Sequence, residues 1–233
     1  MTRGNMVQGP LQAGSPLRTP GAAAVAGIVF SVLLIAAFVL LRLSVPADPR
    51  TAGTWLTDPG RRTAVEIALN LVPFAGIAFL WFIGVLRDRI GQREDRFFAT
   101  VFLGSGLLFV AMLFVATAVA GGLFAAASRS SGPPSADVLA LGRDVTGLLV
   151  NVYSMRMAAV FTLTTVTIAR RTEIVSRWLT VAGIVAALVL LVGFGLSAWV
   201  ELLFPAWILA LSIDILRASP KISPPSTGMA PQG

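Results

Sequence analysis

The stretch from Phe97 to Ser128 runs for 32 residues without an ionisable side chain. A second uncharged stretch of 23 residues lies between Arg18 and Arg42. At about 1.5 Å per residue, a helix of either length crosses a hydrocarbon core of about 30 Å. An α-helix also forms hydrogen bonds between its own backbone N–H and C=O groups. Acyl chains of lipids offer no hydrogen-bond partner to these groups. The sequence therefore predicts an all-α, polytopic transmembrane helix bundle.

Composition agrees with a membrane protein and excludes several kinds of active site. Hydrophobic residues make up 56% of the chain and charged residues 12%. The chain has no Cys and no His, which removes disulfides, thiolate nucleophiles, Cys/His zinc sites and Ser–His dyads. We therefore predict no catalytic residue, no cofactor and no metal site.

The net charge of +7 is interpreted as a topology signal. Most of the basic residues are Arg and lie close to the ends of apolar stretches, where they set orientation and attract lipid headgroups. The lipid bilayer is therefore the expected partner of these charges, and no nucleic-acid partner is predicted.

Six spans are predicted within a bundle domain of residues 21–217. The second helix has Asp58 as its expected N-cap and Pro59 at its first helical position. Residues 1–20 and 218–233 lack apolar periodicity, which predicts a disordered lead-in and a disordered tail. The expected apolar spans are those between Arg18 and Arg42, Ile67–Leu86, Phe97–Ser128, Ala136–Ala169, Trp178–Val200 and Leu203–Leu216.

Two alternatives to this organisation stay open. The first apolar stretch could be a signal peptide cleaved after Ala47, although it is longer than the usual apolar region of such peptides. Residues 178–217 could form two spans, a re-entrant segment or one broken helix, because Gly193, Gly195, Glu201 and Pro205 interrupt the apolar pattern.

The charged segment Arg87–Phe97 indicates the orientation. If the N-terminus is inside, alternate connections place eleven Lys and Arg residues on the inner side and six on the outer side. Cytoplasmic segments carry the excess of positive charge. We therefore expect both termini in the cytoplasm of a bacterial cell, the bundle in its plasma membrane, and a tight cytoplasmic turn at 87–96.

The segment LNLVPFAGIAFLWFIGVLRDRIGQREDRFFATVFLGSGLLF, Leu69 to Phe109, resembles the central hairpin of an uncharacterised family of small multi-pass membrane proteins from actinobacteria. The excess of Arg over Lys and the high Ala content suit such a source. The resemblance covers the second and third spans. It implies the membrane architecture and carries over no catalytic residue.

Small residues in two spans predict close helix packing. Gly104, Ser105 and Gly106 provide such a surface in the third span, and a serine protease role there lacks a histidine base. In the fourth span, small and polar residues recur every three or four positions on one helix face, which indicates a bundle seam or, alternatively, a polar lane for a solute. These residues are Gly147, Asn151, Ser154, Ala158, Thr162 and Thr165.

Polar side chains inside spans are costly and are functional candidates. The candidates are Glu66, Asn70, Asn151, Arg156 and Asp214. Helical rise places Asn70 and Asn151 at similar depth, and likewise Arg156 and Asp214. We therefore expect an amide contact in the first pair and a buried ion pair in the second, serving either packing or a solute or proton path.

These features predict a non-catalytic accessory or scaffold subunit in the membrane. Its partners would be other membrane proteins or further copies of itself. The alternative is a small transporter or channel that uses the polar residues as a lane through the bundle. A third hypothesis is an enzyme that acts on lipid, for which the sequence offers only scattered carboxylates as acid–base groups.

Overall fold

The computed structural model describes residues 20–45, 58–90, 96–129, 135–172, 176–193, 197 and 199–218. Most of the expected lead-in and tail, the possible cleavage site at Ala47 and the middle of the charged turn, 91–95, lie outside the described residues. Pro20 and Ala218, assigned above to the disordered ends, belong to helices.

The described residues are helical and contain no strand. They form six continuous helices, because α4, a π-helical turn and α5 follow one another without a break. The bounds are α1 Pro20–Ser44, α2 Pro59–Ile90, α3 Arg96–Arg129, α4 Ala136–Gly147, the π turn Leu148–Ser154, α5 Met155–Thr172, α6 Arg177–Val192, a 3-10 turn Val200–Leu202, and α7 Leu203–Ala218.

The start of α2 confirms the predicted cap. A carboxylate oxygen of Asp58 accepts hydrogen bonds from the backbone N–H groups of Gly60, at 2.9 Å, and Arg61, at 3.4 Å. Pro59 takes the first helical position, where its missing N–H would have had no helical partner. At its other end α2 continues through Ile90, so part of the expected cytoplasmic turn is helical.

Four helices are long and apolar enough to cross a membrane: Gly21–Ser44, Pro59–Arg87, Phe97–Ala127 and Ala136–Arg170. The membrane class expected from the sequence therefore stands. Helices α6 and α7 have 16 residues each. At about 1.5 Å per residue, α6 is about 24 Å long, less than a hydrocarbon core of about 30 Å. The 3-10 turn Val200–Leu202 runs directly into α7 and lengthens that helix at its start.

The helices form a closed ring in which each packs against two main neighbours, in the order α1, α2, α3, α4–α5, α6, α7 and back to α1. Rings from five helices meet in the centre, and we call them the phenylalanine core: Phe30, Phe79, Phe109, Phe161 and Phe204. Each has no accessible surface. Ring centroids of Phe79 lie 5.2 Å from Phe109 and 5.1 Å from Phe161, within the range of favourable aromatic pairing.

Candidate functional site

The polar residues singled out in the sequence do not converge inside the bundle. Glu66 and Asn70 lie on the exposed face of α2. The Asn70 amide donates a 2.8 Å hydrogen bond to the backbone carbonyl of Glu66, one turn earlier in the same helix. Asn151 lies in the π turn and is half-buried. The expected hydrogen bond between Asn70 and Asn151 is not formed, so that prediction is wrong.

The predicted ion pair between Arg156 and Asp214 is also wrong. Arg156 is exposed on α5. The Asp214 carboxylate instead accepts a hydrogen bond from the backbone N–H of Ser176 at 3.4 Å. Ser176 is the N-cap of α6, and N–H groups at a helix start have no partner within the helix. A carboxylate is favoured there because it also meets the positive end of the helix dipole.

The predicted packing residues of the fourth span have unequal burial. Ser154, Ala158, Thr162 and Thr165 are buried, whereas Gly147 and Asn151 are half-buried. The change occurs across the π turn, in which hydrogen bonds join residues five apart rather than four. Residues before the turn are therefore rotated about the helix axis relative to those after it, and the six positions do not share one face.

Ser154 makes a contact between helices. Its hydroxyl donates to the backbone carbonyl of Phe109 on α3 at 3.3 Å, in a buried position. In contrast, the buried Ser105 hydroxyl donates to Val101 O of its own helix at 2.7 Å. Ser154 therefore links two helices, whereas the Ser105 hydroxyl bonds within its own helix.

Only some glycines permit close approach of helices. A Cβ atom on Gly106 would lie 3.2 Å from the Phe161 ring and overlap Ile83. A Cβ atom on Gly104 would meet nothing within 4 Å, and one on Gly147 only Asn151 at 4.0 Å. Gly27, which the sequence reasoning did not single out, lets Ser212 of α7 approach α1 closely.

An ion pair that the sequence did not predict joins distant parts of the chain. Arg42 Nε donates to Glu201 Oε1 at 2.7 Å, joining the last turn of α1 to the 3-10 turn before α7. The Glu201 side chain is 6% exposed and that of Arg42 is 34% exposed. Burial raises the pKa of the Glu201 carboxyl, while the hydrogen bond and the charge of Arg42 oppose the rise. Arg42 follows the first predicted span and Glu201 follows the fifth, so the sequence places both at the outer membrane boundary. This shared position is the one sequence signal that could have suggested the ion pair.

One surface of the fourth helix faces outward and contains Leu148, Tyr153 and Arg156, and we call it the Arg156 face. Tyr153 is 56% exposed and Leu148 48%. The five-residue spacing from Leu148 to Tyr153 matches the π turn, and the next three-residue step to Arg156 matches an α-helix, so the three side chains lie on one side. The π turn therefore places a tyrosine and an arginine together on the outside.

The Arg156 face lies far from both ends of its span. The nearest charged residues in the sequence are Asp144 and Arg170, about 18 Å and 21 Å away along a helix that rises about 1.5 Å per residue. Within the described residues Arg156 forms no ion pair, and those residues hold no metal-binding group of three His, Cys, Asp or Glu. The chemistry available at this face is ionic and hydrogen-bonding recognition.

The fold and these contacts define a helical membrane protein with an aromatic interior and polar groups on its outer surface. Comparison with models of known protein families, with curated proteins and with solved structures gives no match.

Proposed function

We propose that this chain is a non-catalytic accessory or scaffold subunit of the bacterial plasma membrane that binds a partner membrane protein through the Arg156 face. The observation that carries the proposal is the exposure of Arg156 near the middle of a helix long enough to cross a membrane. The partner is a transmembrane helix with a carboxylate at the depth of Arg156, either in another protein or in a second copy of this chain.

An arginine that faces lipid without a partner is energetically costly. A charged side chain at the centre of a membrane helix costs about 2.5 to 3.5 kcal/mol on insertion scales. Arginine reduces this cost when its guanidinium reaches the headgroups. From Arg156 the headgroups are more than ten ångströms away on either side by helical rise, on the order of twice the reach of the side chain. A carboxylate on a neighbouring helix removes the cost and gives the association its specificity.

We further propose that the chain crosses the membrane six times, with both termini in the cytoplasm. Four helices meet the length and hydropathy expected of spans. Helix α6 packs against α5, and α7 packs against α1, so both helices lie beside candidate spans. The excess of Lys and Arg on one set of connections supports this orientation.

A solute lane through the bundle is not favoured. The phenylalanine core fills the centre of the ring, and Glu66, Asn70 and Arg156 are exposed on the outside of the helices. A path for ions or polar solutes requires polar groups or water along its length. The lack of Cys and His likewise supports a role in binding rather than in chemistry.

Co-purification from native membranes under mild detergent tests the proposal. The tagged wild-type chain is expected to recover a membrane protein in constant proportion, or a differently tagged second copy, and Arg156→Gln is expected to lose it. Arg170→Gln is the matched control, because Arg170 is also exposed on α5 but lies near the end of the span.

Recovery of the wild-type chain alone would contradict the proposal. Equal recovery of the partner with wild type and Arg156→Gln would also contradict it, since the partner would then bind elsewhere.

A further inference from the structure

We propose that the partner of the Arg156 face is a different membrane protein, which packs one transmembrane helix along the outer half of the fourth helix and binds Arg156 through a carboxylate. This inference rests on the function proposed above and specifies its partner. Three features of the chain support it: the extent of the exposed surface, the rotation produced by the π turn, and the positions of the carboxylates.

The outer half of the fourth helix is open on the side away from α3. Both α4 and the π turn have α3 as their main neighbour, whereas α6 packs against α5. Leu141 is 66% exposed and Leu148 is 48% exposed. Leu148 follows Leu141 by seven residues, close to two full helical turns. Leu141 therefore continues the Arg156 face toward the outer end of the helix, as a mostly apolar surface with one positive charge.

The π turn keeps this surface continuous. Arg156 follows Leu148 by eight residues, which corresponds to a rotation of about 80° in a regular α-helix. The π turn adds about one residue to the helix, so the two side chains differ in direction by only about 20°. One partner helix can therefore contact Leu141, Leu148 and Arg156 together.

Contacts with α3 hold the π turn in place. A Cβ atom on Gly142 would overlap the Leu123 side chain, and the Ser154 hydroxyl donates to the Phe109 carbonyl at 3.3 Å. Ser154 follows Gly142 by twelve residues, so a regular α-helix would separate their directions by about 120°. Both residues face α3 because the π turn reduces this angle to about 20°. Packing within the bundle therefore forms the surface before a partner binds.

A second copy of this chain does not bring Glu66 to the depth of Arg156, because every copy has the same orientation in the membrane. The Arg62 guanidinium lies 5.8 Å from the Phe124 ring, beside the point where Gly142 contacts α3. Glu66 is four residues further into the membrane than Arg62, and Arg156 is fourteen residues further in than Gly142. The depths of Glu66 and Arg156 therefore differ by about 15 Å, too far for an ion pair.

The other carboxylates within helices are also out of reach. Asp144 lies about 18 Å from Arg156 along the same helix. Asp214 binds the start of α6, which begins five residues after the end of α5, and Arg156 is sixteen residues before that end. Glu201 is 6% exposed and is bound to Arg42. The remaining carboxylates fall in end turns or between helices, so the partner carboxylate comes from a different protein.

The test is crosslinking in cells from a photoreactive amino acid at Leu141, followed by mass spectrometry of the crosslinked peptide. We expect the peptide to come from a transmembrane segment of a different protein and to contain Asp or Glu. The same protein should be crosslinked from Leu148. Trp81, which is 72% exposed on α2, is the control position and should not crosslink to it.

Neutralising both charges tests the ion pair itself. Arg156→Gln, and replacement of the partner's Asp or Glu by the corresponding amide, should each lower recovery of the complex at least about tenfold. The two changes together should lower recovery no further, because each removes the same contact. Arg156→Lys keeps the charge and should retain part of the binding.

Deletion of Val150 tests the π turn. It removes the additional residue, so Leu141 rotates by about 100° away from Arg156. The crosslink from Leu141 should be lost, whereas the crosslink from Tyr153 should remain. Thermal unfolding in detergent shows whether the variant folds.

A pair of substitutions replaces the deletion if that variant does not fold. Leu141→Ser with Leu148→Ser should lower recovery of the partner although Arg156 is intact, because helix association in lipid depends on side-chain packing. Val181→Ser with Val185→Ser, at exposed positions of α6, is the matched control and should leave recovery unchanged.

The outcomes separate this inference from the proposed function. Crosslinks to a second copy of this chain that disappear in Arg156→Gln would overturn the inference and leave the proposed function intact. A partner peptide without a carboxylate would also overturn the inference. Absence of any protein crosslink from Leu141, Leu148 and Tyr153 would contradict both. An unchanged crosslink from Leu141 after deletion of Val150 would overturn the role assigned to the π turn.

Discussion

Arg42 and Glu201 lie 159 residues apart in the sequence, yet the guanidinium Nε is 2.7 Å from the carboxylate Oε1. The pair connects α1, the first helix of the ring, to α7, the last. It therefore closes the ring where α1 ends and the α7 segment begins.

Breaking this pair is expected to destabilise the protein. Arg42→Leu leaves the buried Glu201 carboxylate without its partner, which costs about 1 to 3 kcal/mol. Adding Glu201→Leu should recover part of the loss, because an apolar pair is better tolerated than a lone buried charge. Thermal unfolding in detergent measures both variants.

The control for this prediction is the exposed pair of Asp58 and Arg61, 3.5 Å apart at the start of α2. Arg61→Leu should change the unfolding free energy by less than about 1 kcal/mol, since exposed ion pairs contribute little. Strictly additive losses in the Arg42 and Glu201 variants would contradict a direct interaction.

Gly27→Ala is expected to destabilise the contact between α1 and α7. The added Cβ would overlap Ser212 Oγ and lie 2.9 Å from the Phe82 ring, and such overpacking costs about 1 to 3 kcal/mol. Ser212→Gly should restore part of the stability in the double variant. Gly104→Ala, where the Cβ meets nothing within 4 Å, is the control and should be neutral or stabilising because alanine favours helices.

Truncation of Phe79 in the phenylalanine core is expected to destabilise the protein strongly. Phe79 contacts the other four rings of the core, and Phe79→Ala should cost about 3 to 5 kcal/mol by leaving a cavity. Phe74→Ala, five residues earlier on the exposed side of α2, should change stability far less. A similar midpoint of thermal unfolding for the two variants would mean that the core is not the centre of the folded bundle.

The orientation is tested by reporter fusions. Fusions after Arg96 and Arg171 should report the cytoplasm, and fusions after Thr57 and Ser131 should report the outside, as the distribution of Lys and Arg predicts. An external signal after Arg96 would contradict six spans with both termini inside.

The long helices could be predicted from the sequence because each depends on neighbouring residues. Asp58 and Pro59 mark the start of α2 by local capping chemistry, and the uncharged stretch from Phe97 to Ser128 is long enough to require a helix in lipid. Such signals do not depend on which helices become neighbours.

The contacts between helices could not be predicted in the same way. Helical rise gives the depth of Arg156 and Asp214, but not the direction in which each side chain leaves its helix. That direction depends on packing and, for the fourth helix, on the π turn at Leu148–Ser154. A prediction from depth alone therefore paired Arg156 with Asp214. In the structure Arg156 faces outward, and the Asp214 carboxylate binds the start of α6.

The most direct test of the central claim is photo-crosslinking from the Arg156 face in living cells. A photoreactive amino acid at Tyr153, which is 56% exposed, should give one discrete crosslinked product containing a membrane protein or a second copy of the chain. The same amino acid at Val185, 54% exposed on α6, should not give that product. The product should also disappear when Arg156→Gln is added. Only lipid adducts at Tyr153, or a product that persists in Arg156→Gln, would contradict recognition of a partner through Arg156.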